Sequence, residues 1–118
     1  MSMGGKMSRE KGKRYEREVA RFLKDNGYDT RRGQQYCGAS GDADVIGLPG
    51  IHIECKHVKK MALYDWMSQS VRDAKEDEIP VVFHRKNNCE TLVTMRAEDF
   101  IALYREYEAG ETLGLHQT

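Results

Sequence analysis

Two acidic side chains and one lysine occupy a pair of short apolar segments that a turn separates. Asp44 lies in the segment Asp42–Leu48, and Glu54 and Lys56 lie in the segment Ile51–His57. The apolar character of both segments predicts β-strands, where charged side chains are unusual unless they have a purpose. A carboxylate beside an amine, with a second carboxylate on the preceding strand, could bind a divalent metal ion and stabilise a charged transition state.

The turn between these strands decides whether the two carboxylates share a face. Side chains alternate between the faces of a strand, so a two-residue loop at Pro49-Gly50 would turn Asp44 and Glu54 to opposite faces. A three-residue loop at 48–50 would instead pair Asp44 with Glu54, about 5 Å apart. Proline followed by glycine is typical of a type II turn, which fits a two-residue hairpin poorly. The three-residue loop is therefore predicted.

Two carboxylates at that distance repel each other unless a counter-charge is present. Mg²⁺ prefers hard oxygen ligands and keeps several waters, one of which could be deprotonated to attack phosphorus. Lys56 could orient that water or stabilise the negative charge of a phosphate. An ordinary surface hairpin with ion pairs fits the same spacing, so the spacing alone leaves both interpretations open.

Periodicity and turn signals predict the elements that must position these residues. The predicted helices are Ser8–Asn26, Ala62–Glu76 and Ala97–Glu108, and the predicted strands are Tyr28–Arg32, Asp42–Leu48, Ile51–His57, Ile79–His84 and Thr91–Met95. This order predicts a mixed α/β domain, a central sheet with helices on its faces. We expect one domain at residues 8–109, with residues 1–7 and 110–118 as flexible termini.

Charge is balanced over the chain but unevenly distributed. Nineteen Lys and Arg residues match nineteen Asp and Glu residues, which excludes a uniformly basic nucleic-acid binder. Residues 6–24 include eight basic and three acidic residues, whereas residues 98–118 include one Arg and five acidic residues. The N-terminal part could therefore meet phosphates while the C-terminal part stays away from them.

The sequence also limits the compartment and the covalent chemistry. No apolar stretch approaches the roughly 20 residues of a membrane span, and residues 1–7 lack the apolar centre of a signal peptide. A cytoplasmic protein of a bacterial, archaeal or phage-infected cell is expected. Three cysteines without Cys-x-x-Cys spacing predict neither a disulfide framework nor a zinc site.

Two sequence motifs carry a family resemblance. Asp44-Val45-Ile46 followed by Ile53-Glu54-Cys55-Lys56 resembles the PD-(D/E)xK nuclease signature, with Ala43 in place of its proline. The run Lys11-Gly12-Lys13-Arg14-Tyr15-Glu16-Arg17-Glu18, followed by an apolar helix and Gly27-Tyr28, resembles the archaeal-type Holliday junction resolvases and their phage relatives. The resemblance covers roughly residues 8–95. The Glu-x-Lys motif alone is weak, but the combination is fairly specific.

The resemblance implies a restriction-endonuclease-like fold and a metal-dependent DNA endonuclease. It implies that Asp44 and Glu54 bind Mg²⁺, with Mn²⁺ as a possible substitute and the backbone carbonyl of Cys55 as a further ligand. It makes Lys56 the catalytic lysine and lets Glu16 act on the same or a second ion.

Two acids of the first helix, Glu16 and Glu18, are candidates for this action on the metal ion. Helical periodicity does not choose between Glu16 and Glu18, which border the apolar stripe on opposite sides, but the family match favours Glu16.

The predicted DNA contacts are basic residues near this site and one serine of the polar loop 34–41. They are Lys11, Lys13, Arg14, Arg31, Arg32 and Ser40. His52 and His57 are weaker candidates for contact with the metal or the DNA, and Gln69 and Lys75 of the second helix are weaker candidates for facing the site.

The predicted function is a structure-selective endonuclease that resolves four-way DNA junctions. Two symmetric cuts need two active sites, so a homodimer is expected, formed through the helix 62–76 or the last helix. Trp66 and Met67 are candidate anchors of that interface. The alternatives are a nuclease of the same fold that acts on nicks, flaps or duplex, and a DNA-binding or scaffolding module without catalysis.

Overall fold

A computed structural model of the protein describes residues 3–33 and 43–112. Within these residues the chain forms three helices and five strands. They are α1 (Met3–Asp25), β1 (Arg31–Arg32), β2 (Val45–Ile46), β3 (Ile51–His57), α2 (Leu63–Asp73), β4 (Ile79–Arg85), β5 (Leu92–Met95) and α3 (Ala97–Thr112). The order of elements and the α/β class agree with the sequence prediction. None of the helices in this part of the chain has the length and apolar character needed to cross a membrane.

The five strands form one mixed sheet in the order β1-β2-β3-β4-β5. Strands β3 and β4 are parallel, and the other neighbours are antiparallel. Helix α1 packs on one face through Tyr15, Val19 and Leu23, which contact the inward residues of β2, β3 and β4. Helix α2 packs on the opposite face, where the Ser70 hydroxyl donates a hydrogen bond to the Val81 carbonyl at 3.0 Å. The sheet is therefore covered by a helix on each face.

The turn between β2 and β3 has the predicted form. The Ile51 N–H donates to the Leu48 carbonyl at 3.2 Å, and Gly50 has a φ of +83°, as a type II turn requires at its third residue. Val45 pairs with Ile53, which is the register that a three-residue loop predicts, and the preceding residue, Asp44, donates its N–H to the Ile53 carbonyl at 2.9 Å. The prediction of a three-residue loop is confirmed, and the Asp44 and Glu54 carboxylates lie close enough for the charge of Glu54 to raise the pKa of Asp44.

Strand β2 is shorter than the predicted Asp42–Leu48 for two reasons. At its end, Gly47 adopts a φ of +106° that takes the chain out of strand geometry, and a Cβ there would collide with the Asp29 carbonyl. At its start, the Asp44 N–H donates to the Ile53 carbonyl at 2.9 Å, but the Asp44 carboxylate accepts the Cys55 N–H at 2.8 Å, so a side chain replaces the next strand-to-strand hydrogen bond. The two strands therefore part at Asp44.

The helix ends differ from the sequence prediction. Helix α1 begins at Met3 rather than at Ser8, and α3 ends at Thr112 rather than at Glu108. Residues 3–8 and 109–112 contain no proline that would interrupt a helix. Ser8 also lacks the capping box that would favour a helix start at that residue. These helical residues lie in the segments that were predicted to be flexible termini.

Candidate active site

A pocket of about 390 Å³ opens where β2 parts from β3, between α1 and α2. Six of the predicted site residues line it: Lys13, Glu16, Arg32, Asp44, Cys55 and Lys56. The remaining lining residues are Arg9, Gly12, His57, Val58 and Gln69. The structure thus brings together groups from the first helix, from β1 and β3, from the residue before β2 and from the second helix, which lie far apart in the sequence.

Asp44 and Glu54 form a buried carboxylate pair. Their relative exposures are 7% and 2%, and their carboxylates lie close enough to interact. Burial raises the pKa of Asp44, and the charge of Glu54 raises it further, to about 7. The hydrogen bond from the Cys55 N–H acts in the opposite direction but is outweighed. The pair is therefore short of positive charge, which a cation would provide.

His52 holds Glu54 from behind the pocket. Its Nε2 lies 2.9 Å from Glu54 Oε1, and its Nδ1 lies 3.7 Å from Glu78 Oε1. Burial by itself lowers the pKa of His52, but the hydrogen bond to Glu54 and the surrounding carboxylates outweigh it, so the pKa is raised. Because His52 is only 1% exposed, its weaker candidacy as a DNA contact was wrong. It supports a carboxylate instead.

The structure separates the two acids of the first helix. Glu16 lines the pocket, and its charge contributes to the raised pKa of Asp44. Arg32 Nε lies 2.7 Å from Glu16 Oε1. Glu18 instead pairs with Arg85 at 3.1 Å and does not line the pocket.

The predicted DNA contacts fall into three groups. Lys13 and Arg32 line the pocket. Lys11 lies close enough to His57 that its charge adds to the effect of burial in lowering the pKa of that imidazole. Arg14 and Arg31 are exposed and are not pocket residues. Ser40 lies outside the described residues.

Other pocket residues were weaker candidates or were missed. His57 and Gln69, weaker candidates in the sequence, line the pocket, and His57 Nε2 lies 2.9 Å from Asn87 Oδ1. Sequence reasoning missed Arg9, Gly12 and Val58. Positions 9, 12, 13 and 16 recur at the spacing of one helix face, and Glu16 at the last of them is an acid of the proposed site. This spacing could have identified Arg9 and Gly12 from the sequence.

The side chains fit a hard divalent cation, although they do not form a complete cage. Within residues 3–33 and 43–112, no three His, Cys, Asp or Glu side chains are placed to hold a metal ion. One oxygen of Glu54 is bonded to His52 and one oxygen of Glu16 to Arg32. Mg²⁺ typically binds through one or two carboxylates and keeps several waters. The Asp44–Glu54 pair has the chemistry for that mode of binding.

Comparison with known families agrees with this geometry. Residues 7–113 match the family described as "Phage putative PDDEXK endonuclease". The chain belongs to this family of PDDEXK endonucleases. The PDDEXK match spans both motifs of the sequence, α1 and the β2–β3 hairpin, and it makes the protein a nuclease of the PD-(D/E)xK superfamily.

A solved structure shares the fold of this PDDEXK nuclease. The chain is similar to Hjc of Archaeoglobus fulgidus, a Holliday junction resolvase from an archaeal hyperthermophile, with a TM-score of 0.58 and 20% sequence identity. The similarity covers 71% of this chain and 76% of the other. At this identity it establishes the restriction-endonuclease-like fold. No curated protein matches the sequence.

Proposed function

We propose that this PDDEXK nuclease hydrolyses phosphodiester bonds in DNA with Mg²⁺, or Mn²⁺ in its place, held by Asp44, Glu54 and the backbone carbonyl of Cys55. The observation that carries the proposal is the buried pair of interacting carboxylates, Asp44 directly before β2 and Glu54 on the neighbouring β3. The raised pKa of Asp44 supports it, because an uncompensated buried pair is costly unless a cation binds there.

Each polar group of the pocket has a role in this reaction. A divalent ion in such a site supplies Lewis-acid stabilisation of the charge that develops on the phosphate. Lys56 orients the attacking water or donates a hydrogen bond to a phosphate oxygen. His52 fixes one oxygen of Glu54 and leaves the other for the ion. Glu16, which Arg32 holds at 2.7 Å, acts on the same or a second ion through water.

The basic side chains around the pocket hold the DNA backbone. Lys13, Arg9 and Arg32 line the site itself, where they neutralise phosphates next to the cut. Lys11, Arg14 and Arg31 extend the positive surface beyond the pocket, and Ser40 adds a hydroxyl contact.

The proposed substrate is a four-way DNA junction, cut by a homodimer. The resemblance of the Lys-Gly…Glu-Arg-Glu helix and the fold shared with a Holliday junction resolvase favour this substrate over nicks, flaps or plain duplex. Two symmetric cuts require two active sites, which a pair of identical subunits provides. The cytoplasm of a bacterial, archaeal or phage-infected cell remains the predicted location.

The test is cleavage of a synthetic four-way junction and of a plasmid, in Mg²⁺ and then with EDTA. Metal-dependent cutting of the junction alone supports a resolvase, and cutting of both substrates indicates a less selective nuclease. Glu16→Gln should slow cleavage strongly, whereas the matched control Glu18→Gln should not, because Glu18 lies outside the pocket. Binding of DNA without cutting in any divalent metal would contradict the proposal.

A further inference from the structure

Helix α3 lacks the tertiary contacts that the other two helices have. Every residue from Ala97 to Ala109 except Asp99 is exposed, and α3 has no substantial contact with another element, whereas α1 and α2 pack on the sheet. A helix of this length is only marginally stable by itself in water, since most helical stability in proteins comes from packing of an apolar face. The exposure of α3 therefore indicates a missing partner.

The apolar residues of α3 form a continuous stripe. Phe100, Leu103, Tyr104 and Tyr107 follow the spacing i, i+3, i+4, i+7 that places side chains on one helix face. Their relative exposures lie between 38% and 54%. The Phe100 and Tyr104 rings lie 6.3 Å apart, so the aromatic groups form one surface. We call this surface the α3 stripe.

A groove lies next to the start of α3. It has a volume of about 680 Å³ and runs between α2 and the residues 94–97 that lead into α3. Its apolar lining residues include Leu63, Met67, Val71 and Met95, and Tyr64 at its rim is 90% exposed. We call this the α2 groove. Because α3 begins at one wall of the groove and continues away from it, the α3 stripe does not fill the groove of its own chain.

Charge indicates which partner fits each surface. Helix α3 carries five acids against one arginine, so nucleic acid and anionic membranes are repelled from it. The charged residues that line the α2 groove are Arg72 and Arg96. Arg96 is paired with Glu98 and Asp99 of its own α3, so Arg72 supplies the positive charge that a second copy would meet. An acidic helix with an apolar stripe therefore complements an apolar groove with a basic residue in its wall. Two α3 helices side by side would instead repel each other.

We propose that the α3 helix of one copy of this chain lies in the α2 groove of a second copy, and that the second copy does the same in return. Each chain carries both the helix and the groove, so one two-fold axis satisfies both surfaces in a closed dimer. The inference rests on the homodimer of the proposed function and specifies its interface.

The first experiment measures the mass of the full chain in solution by light scattering after gel filtration. The unmodified protein should be a dimer at micromolar concentration. Phe100→Glu in the stripe and Val71→Glu in the groove should each produce monomers, since each puts a negative charge into the contact. Ala102→Glu adds the same charge to the opposite side of α3 and should remain dimeric. Circular dichroism and the melting temperature show whether each variant is folded.

The second experiment mixes the two monomeric variants. Phe100→Glu retains a normal groove and Val71→Glu retains a normal helix, so the mixture contains one intact helix–groove contact and should form heterodimers. A wild-type monomer, a dimeric Phe100→Glu variant, or a mixture that stays monomeric would each overturn the inference. Metal-dependent cleavage of the synthetic four-way junction is measured in parallel. Cleavage by an unmodified protein that is monomeric would contradict only the interface, and a dimer that never cleaves the junction would contradict only the nuclease activity.

Discussion

The proposed active site buries ionisable side chains, whereas helix α3 exposes large apolar side chains. At the proposed metal site, Asp44 and Glu54 are ionisable groups with relative exposures of 7% and 2%, while on α3 Phe100 and Tyr104 are large apolar groups with exposures of 54% and 47%. Buried charges and exposed apolar clusters are both unfavourable unless something compensates for them. Each region therefore indicates what binds there, a cation in the first case and an apolar protein surface in the second.

The buried carboxylate pair and the exposed apolar side chains of α3 require different binding partners. A buried carboxylate pair needs a counter-charge at one position, and few ligands other than a small cation fit there. An exposed apolar helix can be covered by any apolar surface of sufficient area, so the choice of its partner depends on complementary charge and shape. The active-site pocket therefore indicates the chemistry of the protein, and α3 indicates how the protein assembles.

The largest expected effect comes from Asp44→Asn. The change removes one of the two proposed metal ligands while it preserves size and the ability to accept the Cys55 N–H. Cleavage should fall by about 10³-fold or more, since metal stabilisation of the transition state amounts to several kcal/mol. The rate of junction cleavage under single-turnover conditions measures this. Asp25→Asn at the exposed end of α1 is the control and should cut normally. An undiminished rate in Asp44→Asn would contradict the proposed metal site, because the buried carboxylate would then have no catalytic purpose.

The second effect is on the stability of the metal-free protein. The pKa of Asp44 is about 7 in the folded chain against an ordinary 3.8, so the folded state binds more protons between about pH 4 and pH 7. Stability from this group is therefore present at low pH and lost as the pH rises through about 7. Asp44→Asn should stabilise the metal-free protein at pH 8 by roughly 1–4 kcal/mol, at about 1.4 kcal/mol per pKa unit, and should leave it unchanged near pH 4. Urea unfolding at both pH values measures the difference, and equal stabilities at pH 8 would contradict the buried-charge interpretation.

Sequence alone predicted the local part of the site. The hairpin register that brings Asp44 near Glu54 was predictable because it depends on a Pro-Gly turn of a few residues, and β3 was predicted with the correct ends. The pairs that join distant segments were not predictable. Arg32 meets Glu16, and His52 meets Glu78, only because α1 and the loop before β4 pack where they do. Periodicity also predicted helix α3 but could not say whether the same chain covers its apolar residues.

A third prediction concerns His52, which lies behind the metal ligand. His52→Gln should weaken the affinity for Mg²⁺ by about 10–100-fold, as loss of a partner that orients a ligand commonly does. Saturating Mg²⁺ should restore most of the rate. The matched control is His84→Gln, a buried histidine bonded to Thr94 rather than to a carboxylate. The Mg²⁺ concentration dependence of cleavage measures both variants, and an unshifted dependence in His52→Gln would show that Glu54 needs no support.

The smallest expected effect comes from Gly12→Ala in α1. A Cβ at residue 12 would meet nothing within 4 Å, so alanine should stabilise the helix by about 0.5–1 kcal/mol. The same methyl group points into the pocket that Gly12 lines, so the KM for DNA should rise a few-fold. A gain in stability together with a rise in KM would show that the space next to Gly12 serves a ligand and not the packing of the helix. An unchanged KM would mean that DNA does not approach α1 there.

The most direct test of the account is the position of a divalent ion in crystals soaked with Mn²⁺. The anomalous difference map should show a peak between the carboxylates of Asp44 and Glu54, beside the Cys55 carbonyl, and Asp44→Asn crystals under the same soak should lack it. Mn²⁺ bound elsewhere, with the two carboxylates left unliganded, would contradict the account.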